Sequence, residues 1–174
     1  MNGREAAYQA IERLFEQHAD EIFRFARFSV GSRGAAEDIV QEVFLRAMGS
    51  WDRFAGRSSE RTWLFSIARH AIADHLRRVG RQEGATDLER EIADPSQADE
   101  VARLDLEASL RLLPLAQREV FVLRIVEDRS AGETAALLGR SEVSVRVTLH
   151  RALSRLRAAL APDDAPGERE GGNL

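Results

Sequence analysis

The chain has 174 residues, 44% of them apolar and 31% charged, which is enough to bury the core of one ordinary domain or two small ones. Cysteine is absent, so disulfides, thiol nucleophiles, iron–sulfur clusters and cysteine-rich zinc sites are excluded together. No run approaches the ~20 apolar residues of a membrane-spanning helix, and the polar start from Met1 to Glu5 lacks signal-peptide blocks, so a soluble cytoplasmic protein without membrane insertion is expected.

The first 80 residues read as helices throughout. Tyr8, Ile11, Leu14 and Phe15 stand at helical spacing, then Ile22, Phe23 and Ala26, then Ile39, Val43 and Ala47. Gly31 to Gly34 separates the second of these helices from the third. On that third helix Asp38, Gln41, Glu42 and Leu45 share a face by i, i+3, i+4 and i+7 spacing, away from the apolar stripe. A leucine among acids and an amide suits docking on protein rather than DNA, although isolated exposed leucines are common.

From Trp51 to Arg81, seven arginines face three acids, and Trp51, Phe54, Trp63 and Phe65 are interleaved with them. That composition stacks bases and holds a single-stranded backbone, while packing in the core is an equal alternative for Trp63. Gly56, Ser58 and Ser59 predict a loop and cap before the next helix, where Leu64, Ile67, Ala68, Ala71, Ile72 and Leu76 form the apolar side. Trp63, Ser66, His70 and Arg77 lie near the opposite face.

Between Gln82 and Glu107 the sign reverses, nine acids against two arginines, with Gly84 and Pro95 and few large apolar groups, as in a linker with little fixed structure. A second module starts with Val101, Leu104, Leu106 and Leu110, stops at Pro114 and continues as a helix through Val120, Leu123 and Val126. Ser130 stands three residues before Glu133, a capping box opening a short helix that ends at Leu137, Leu138 and Gly139. Ser141 then caps a longer helix, which completes a helix-turn-helix candidate. In that helix Val145, Leu149, Leu153, Leu156 and Leu160 fall within about 80 degrees and mark the core side. Opposite lie Ser144, Val147, Arg151 and Ser154, with His150 beside them and Arg146 on the flank. Hydroxyls, an imidazole and guanidinium forks can read base edges and grip phosphates in a major groove. The tail from Ala161, with two prolines and three glycines, is expected to lack order.

Four segments in order, AEDIVQEVFLRA from Ala36, TWLFSIARHAIADHLRR from Thr62, LPLAQREVFVLR from Leu113 and the helix ending HRALSRLR, resemble the extracytoplasmic-function (ECF) sigma factors of bacteria. The resemblance implies an all-α, two-domain protein without catalytic activity. Residues 1–80 would form sigma region 2, 81–100 the acidic linker, 101–160 the region 4 helix-turn-helix domain and 161–174 the tail. It implies binding to the beta and beta-prime subunits of core RNA polymerase, recognition of minus-10 and minus-35 promoter elements in duplex and melted DNA, and control by an anti-sigma factor.

Carried over onto this chain, Asp38, Gln41, Glu42 and Leu45 fall on the family's surface for the beta-prime coiled coil. Arg57, Ser58, Ser59 and Glu60 fall on the loop that captures a flipped minus-10 base, with Trp63, His70 and Arg77 on the adjoining helix. Ser144, Arg146, Val147, His150 and Arg151 fall on minus-35 reading positions. His70 stands where many members have asparagine, and Val143, Val147 and Thr148 replace the family's glycine, serine and arginine, so the promoter read is expected to be unusual. The rival from another class is a stand-alone, dimeric helix-turn-helix regulator, which leaves the Asp38 to Leu45 face unexplained. The four histidines show no metal-ligand spacing and no nucleophile–base motif is present, so no metal, cofactor or catalytic residue is expected.

Overall fold

A computed structural model of the chain describes residues 3–82 and 106–160; the acidic linker, the start of the second module at Val101 and Leu104, and the tail lie outside them. Among the described residues the secondary structure is helical, with no strand. The first module contains α1 (Gly3–Val30), α2 (Arg33–Ser50), a 3-10 turn at Trp51–Arg53 and α3 (Glu60–Gln82). After a helical turn at 106–110, the second module contains α4 (Leu115–Phe121), a π turn at Val122–Val126, α5 (Ala131–Leu138) and α6 (Glu142–Leu160).

Where two helices are expected before Gly31, one 28-residue helix is found. The polar stretch Glu16 to Glu21 contains no glycine or proline, so nothing stops the backbone bonding across it, and its polarity reflects surface rather than a break. Ile11, Leu14, Ile22 and Phe25 are buried, whereas Tyr8 and Phe15 of the same apolar series are exposed. The helix stops at Gly31, which adopts φ +73° and hydrogen-bonds back to the Arg27 carbonyl. A side chain there is strained by that φ, and its Cβ would meet the Arg111 guanidinium of the second module at 3.0 Å. The Ser32 hydroxyl then accepts the Ala35 N–H and opens α2.

Pro114 lacks the N–H that continuing the preceding helical turn would need, and α4 starts immediately after it. The expected helix through Val126 does not stay α-helical. It widens into i→i+5 bonding, Glu127 N–H to Val122 carbonyl at 2.9 Å, and ends at Asp128 with φ 49°. The reversal sends Arg129 back toward α1. Beyond it the capping box forms as spaced: Ser130 Oγ accepts from Glu133 N–H at 3.1 Å, and the Glu133 carboxylate accepts from Ser130 N–H at 2.8 Å. Gly139, at φ 61°, closes α5, and Ser141 Oγ accepts the Ser144 N–H at 3.2 Å to open α6.

The buried apolar side chains of both modules form one continuous cluster, from Ile11 through Phe25, Ile39, Leu64 and Ile72 to Val120, Leu137, Val145 and Leu156. Burying each large member stabilises the fold by about 1.5–3 kcal/mol. The modules therefore meet along a seam rather than standing apart.

Candidate nucleic-acid and protein interfaces

On α2 the core side is filled by Ala36, Ile39, Val40, Val43, Phe44 and Ala47. The opposite face carries Asp38, Gln41 and Leu45 in solvent, and Leu45 is 73% exposed. Glu42 is half-buried and shared by two cations, Arg46 at 2.6 Å and Arg78 of α3 at 3.8 Å. Arg46 also reaches Asp74 at 3.1 Å, and Arg77 bonds the other oxygen of that carboxyl. The two guanidiniums hold Asp74 below the usual carboxylate range, Arg77 contributing most. The cleft between α2 and α3, lined by Asp38, Ile39, Glu42, His75, Arg78 and Val79, pushes the His75 imidazole down by burying it.

The loop before α3 leaves Arg57, Ser58 and Ser59 exposed, and Ser59 Oγ caps α3 by accepting the Thr62 N–H at 3.1 Å. Glu60, placed with that loop by the sequence, is the first residue of α3 and is gripped by Arg13 of α1 through two bonds of 2.8 and 3.0 Å. The Arg13 bond holds the Glu60 carboxyl below its usual range. Trp63 packs with Phe54 at 4.8 Å and Trp51 at 5.8 Å between ring centroids, yet stays half-exposed. One side of this trio lines a cleft of about 330 Å³ with Arg53, Arg57 and Ser58. Packing and surface presentation, alternatives in the sequence, are both properties of this one ring. His70 is exposed, and its Nδ1 lies 2.6 Å from the Ser66 carbonyl. A carbonyl only accepts, so Nδ1–H is the donor in this contact. Arg77 is exposed beyond its bond to Asp74.

On α6 Val145, Ala152 and Leu156 are buried, with Leu149 and Leu153 partly so, as the period requires. Leu160 departs from it at 64% exposure, because the last turn runs past the core. Outward stand Arg146, Val147, His150 and Arg151, with Ser144 half-buried. Val147 is 44% exposed and Val143, one turn earlier, is exposed too. Arg146 is paired with Glu142 at 2.8 Å.

A further set of charged residues lines the seam. Glu21 of α1, 8% exposed, is bonded by Arg61 of α3 and by Arg129 of the second module, the latter at 2.8 Å. Glu119 of α4, 2% exposed, receives Arg69 of α3 at 3.0 Å and faces Arg140 at 3.7 Å. Arg69 also donates to the Leu138 carbonyl at the end of α5, at 3.0 Å. Arg24 and Glu127 form a bidentate pair at 2.7 and 3.0 Å, and Arg27 meets Glu107 at 2.8 Å. Buried Arg118 donates to the carbonyls of Ser29 and Leu113. Apart from Glu119 with Arg140 and Arg118 with Leu113, these partners stand 40 to 108 residues apart, beyond the reach of any local spacing.

Among the described residues no helix is long and apolar enough to cross a membrane. The Sigma-70 region 2 family model matches residues 14–82, and the Sigma-70 region 4 model matches residues 103–156. The ECF RNA polymerase sigma factor SigX of Bacillus subtilis is 34% identical over 160 residues, spanning 86% of this chain and 82% of SigX. The ECF RNA polymerase sigma factor SigC of Mycobacterium tuberculosis is 34% identical over 168 residues, spanning 91% and 88%. Among solved structures, the sigma factor RpoE of Bartonella quintana, in complex with the anti-sigma factor NepR, is similar with a TM-score of 0.70 at 25% identity, covering 89% of this chain and 99% of RpoE. With two helical modules in the family's order and a relative matched along most of its length, the chain belongs to the ECF RNA polymerase sigma factors, specificity subunits of transcription.

Proposed function

We propose that the chain binds bacterial core RNA polymerase, reads minus-35 and minus-10 promoter elements and promotes opening of the duplex. In this reading residues 1–80 are the polymerase- and minus-10-binding domain, 81–100 a connector, 101–160 the minus-35 domain and 161–174 a tail. The observation that carries the reading is Leu45, a large apolar side chain left 73% in water on a helix whose other face is fully packed. Burying it against an apolar helix of the beta-prime subunit, with Asp38 and Gln41 making polar contacts at the rim, accounts for its position.

The Trp63 cleft, with Arg57 and Ser58 at its mouth and His70 further along α3, takes an unstacked base: the aromatic edge stacks it and the arginines hold its phosphates. On α6, Arg151 can fork onto a guanine and Val147 offers a methyl surface to a thymine. Ser144, Arg146 and His150 supply flanking hydrogen bonds. An anti-sigma factor is the expected inhibitor, supported by the similarity to a sigma factor solved with one.

The test is co-purification. Leu45→Arg should abolish recovery of beta and beta-prime while helical circular dichroism and melting stay as in wild type. Full recovery of both subunits with the variant would falsify the docking face.

A further inference from the structure

We propose that the acidic segment after α6 folds back on the outward face of that helix and competes there with DNA, so that residues 161–174 inhibit minus-35 binding. The competitive role rests on the promoter reading of α6 given above; the contact itself does not. Residues 161–174 lie outside the described part of the structure, and the helix face they would cover lies within it.

On α6 the charges do not balance. Glu142 is the only acid of the helix, and Arg146 takes it at 2.8 Å. Arg151, Arg155 and Arg157 follow with no acid between them. All three are exposed, and among the described residues none has an ion-pair partner. Arg151 and Arg155 stand one turn apart on the outward face, where like charges at i, i+4 repel. Arg157, in the last turn, is offset by the negative end of the helix dipole, which does not extend to Arg151 or Arg155. A row of cations without counter-charge in the helix suits an anionic occupant from outside it.

The chain itself supplies one. After Leu160 the sequence reads APDDAPGEREGGNL, in which Asp163, Asp164, Glu168 and Glu170 stand against the single cation Arg169. Pro162 has no N–H to extend α6 and disfavours a helical Ala161, so the sequence favours departure from the helix axis. The distances agree. Along the helix Arg155 lies about 7.5 Å and Arg151 about 13.5 Å back from Leu160. An extended chain covers roughly 10–14 Å in three to four residues, which brings Asp163 and Asp164 to them. Arg146 lies about 21 Å back, and the chain from Leu160 to Glu168 spans roughly 26 Å. Tethering holds these acids at an effective concentration on the order of millimolar, far above that of a second copy in dilute solution, which selects the chain's own tail as the occupant.

Each contact is a surface ion pair and weak by itself, so the covered state is populated in dilute salt and lost as salt rises. A duplex presents a denser line of charge, one per ~1.7 Å of its axis, and displaces the tail. Because salt weakens the inhibitor as well as the DNA contact, the parent chain should have a shallower salt slope than one with a neutral tail. The absence of cysteine allows a single label on the full chain. A nitroxide on Gly172→Cys should broaden the amide resonances of His150, Arg151 and Arg155 in dilute salt. That broadening should vanish when Asp163→Asn, Asp164→Asn, Glu168→Gln and Glu170→Gln are added. Broadening centred on α3, or equal broadening in the neutral-tail chain, overturns the contact, and does so without reference to DNA.

A second arm measures binding of the unlabelled full chain to a short random-sequence duplex. The neutral-tail chain should bind about fivefold tighter than the parent in dilute salt, with the steeper slope, and the two should converge in ~0.5 M salt. Glu5→Gln, Glu12→Gln, Glu16→Gln and Asp20→Asn, all exposed on α1, change the net charge equally and should leave affinity within about twofold of the parent. An equal gain in both sets is the work of long-range charge and overturns the inhibition, as does no gain in either. If no version of the chain binds the duplex, the reading of α6 as a DNA-binding helix fails and takes the competitive role with it, while the broadening decides the contact alone.

Discussion

The outward surfaces of α3 and α6 are built in opposite ways. Around α3 the polar side chains are tied to other elements: Glu60 to Arg13, Arg69 to Glu119, and Asp74 to Arg46 and Arg77. Its aromatic, Trp63, is half inside a trio of rings. On α6 the outward side chains stand clear, and among the described residues only Arg146 is ion-paired there, to Glu142. On α3 the groups proposed to meet nucleic acid share a surface with those that hold the module together, whereas on α6 the proposed reading residues and the stabilising ones are different. A base pocket for unstacked DNA must keep its shape without ligand, which ties its walls to the fold. A helix entering a major groove needs only a rigid backbone beneath freely presented side chains.

The largest effect should come from Trp63→Ala. Removing a ring shared by packing and cleft should cost about 3 kcal/mol in urea unfolding and also abolish melting of promoter DNA by the holoenzyme. Loss of promoter melting with wild-type stability would break the comparison at its centre. Arg151→Ala should show the reverse pattern. Binding to the best promoter should weaken by about 2 kcal/mol with preference relaxed at one base pair. The unfolding free energy should move by no more than about 0.5 kcal/mol. A randomised minus-35 library transcribed by both holoenzymes, alongside urea titrations, measures the two together.

The helix starts sharpen the contrast. Ser130→Ala removes the cap of α5 and should cost about 1 kcal/mol of stability, read as a lower melting temperature with unchanged base preference. Arg13→Gln should have the smallest effect, and a pH-dependent one. Arg13 depresses the folded-state pKa of Glu60, so its stabilisation is fully present above the unfolded carboxyl value near ~4.3 and is lost as pH falls through the lower folded value. Melting temperatures of Arg13→Gln and wild type should differ at pH 7 and converge in acid. A gap of constant size down to pH 2 would show that Arg13 acts through packing alone.

Those two starts also mark how far the sequence could be read. The cap of α5 is written within four residues, Ser130 to Glu133, and formed as spaced. The Arg13–Glu60 clamp joins residues 47 apart and leaves no local trace. The same division runs through the candidate surfaces. Leu45, Val147 and Arg151 were placed outward by helical period alone, because each lies opposite a stripe of large apolar residues. Phe15 and Leu160 show where period fails: the first stands at the margin of its stripe and the second beyond the end of the core.

Short-range chemistry therefore carries the helical period, the caps at Ser59, Ser130 and Ser141, the turn at Gly139, and the order of segments that marks an ECF sigma factor. The tertiary structure settled that Glu60 faces α1 and that Trp63 serves core and cleft together. It alone also brought Glu21 and Glu119 between arginines of both modules. The physical reason is range. A backbone hydrogen bond or a cap is settled within about four residues of chain, while a buried carboxylate is tolerable only beside cations that the whole fold must bring to it.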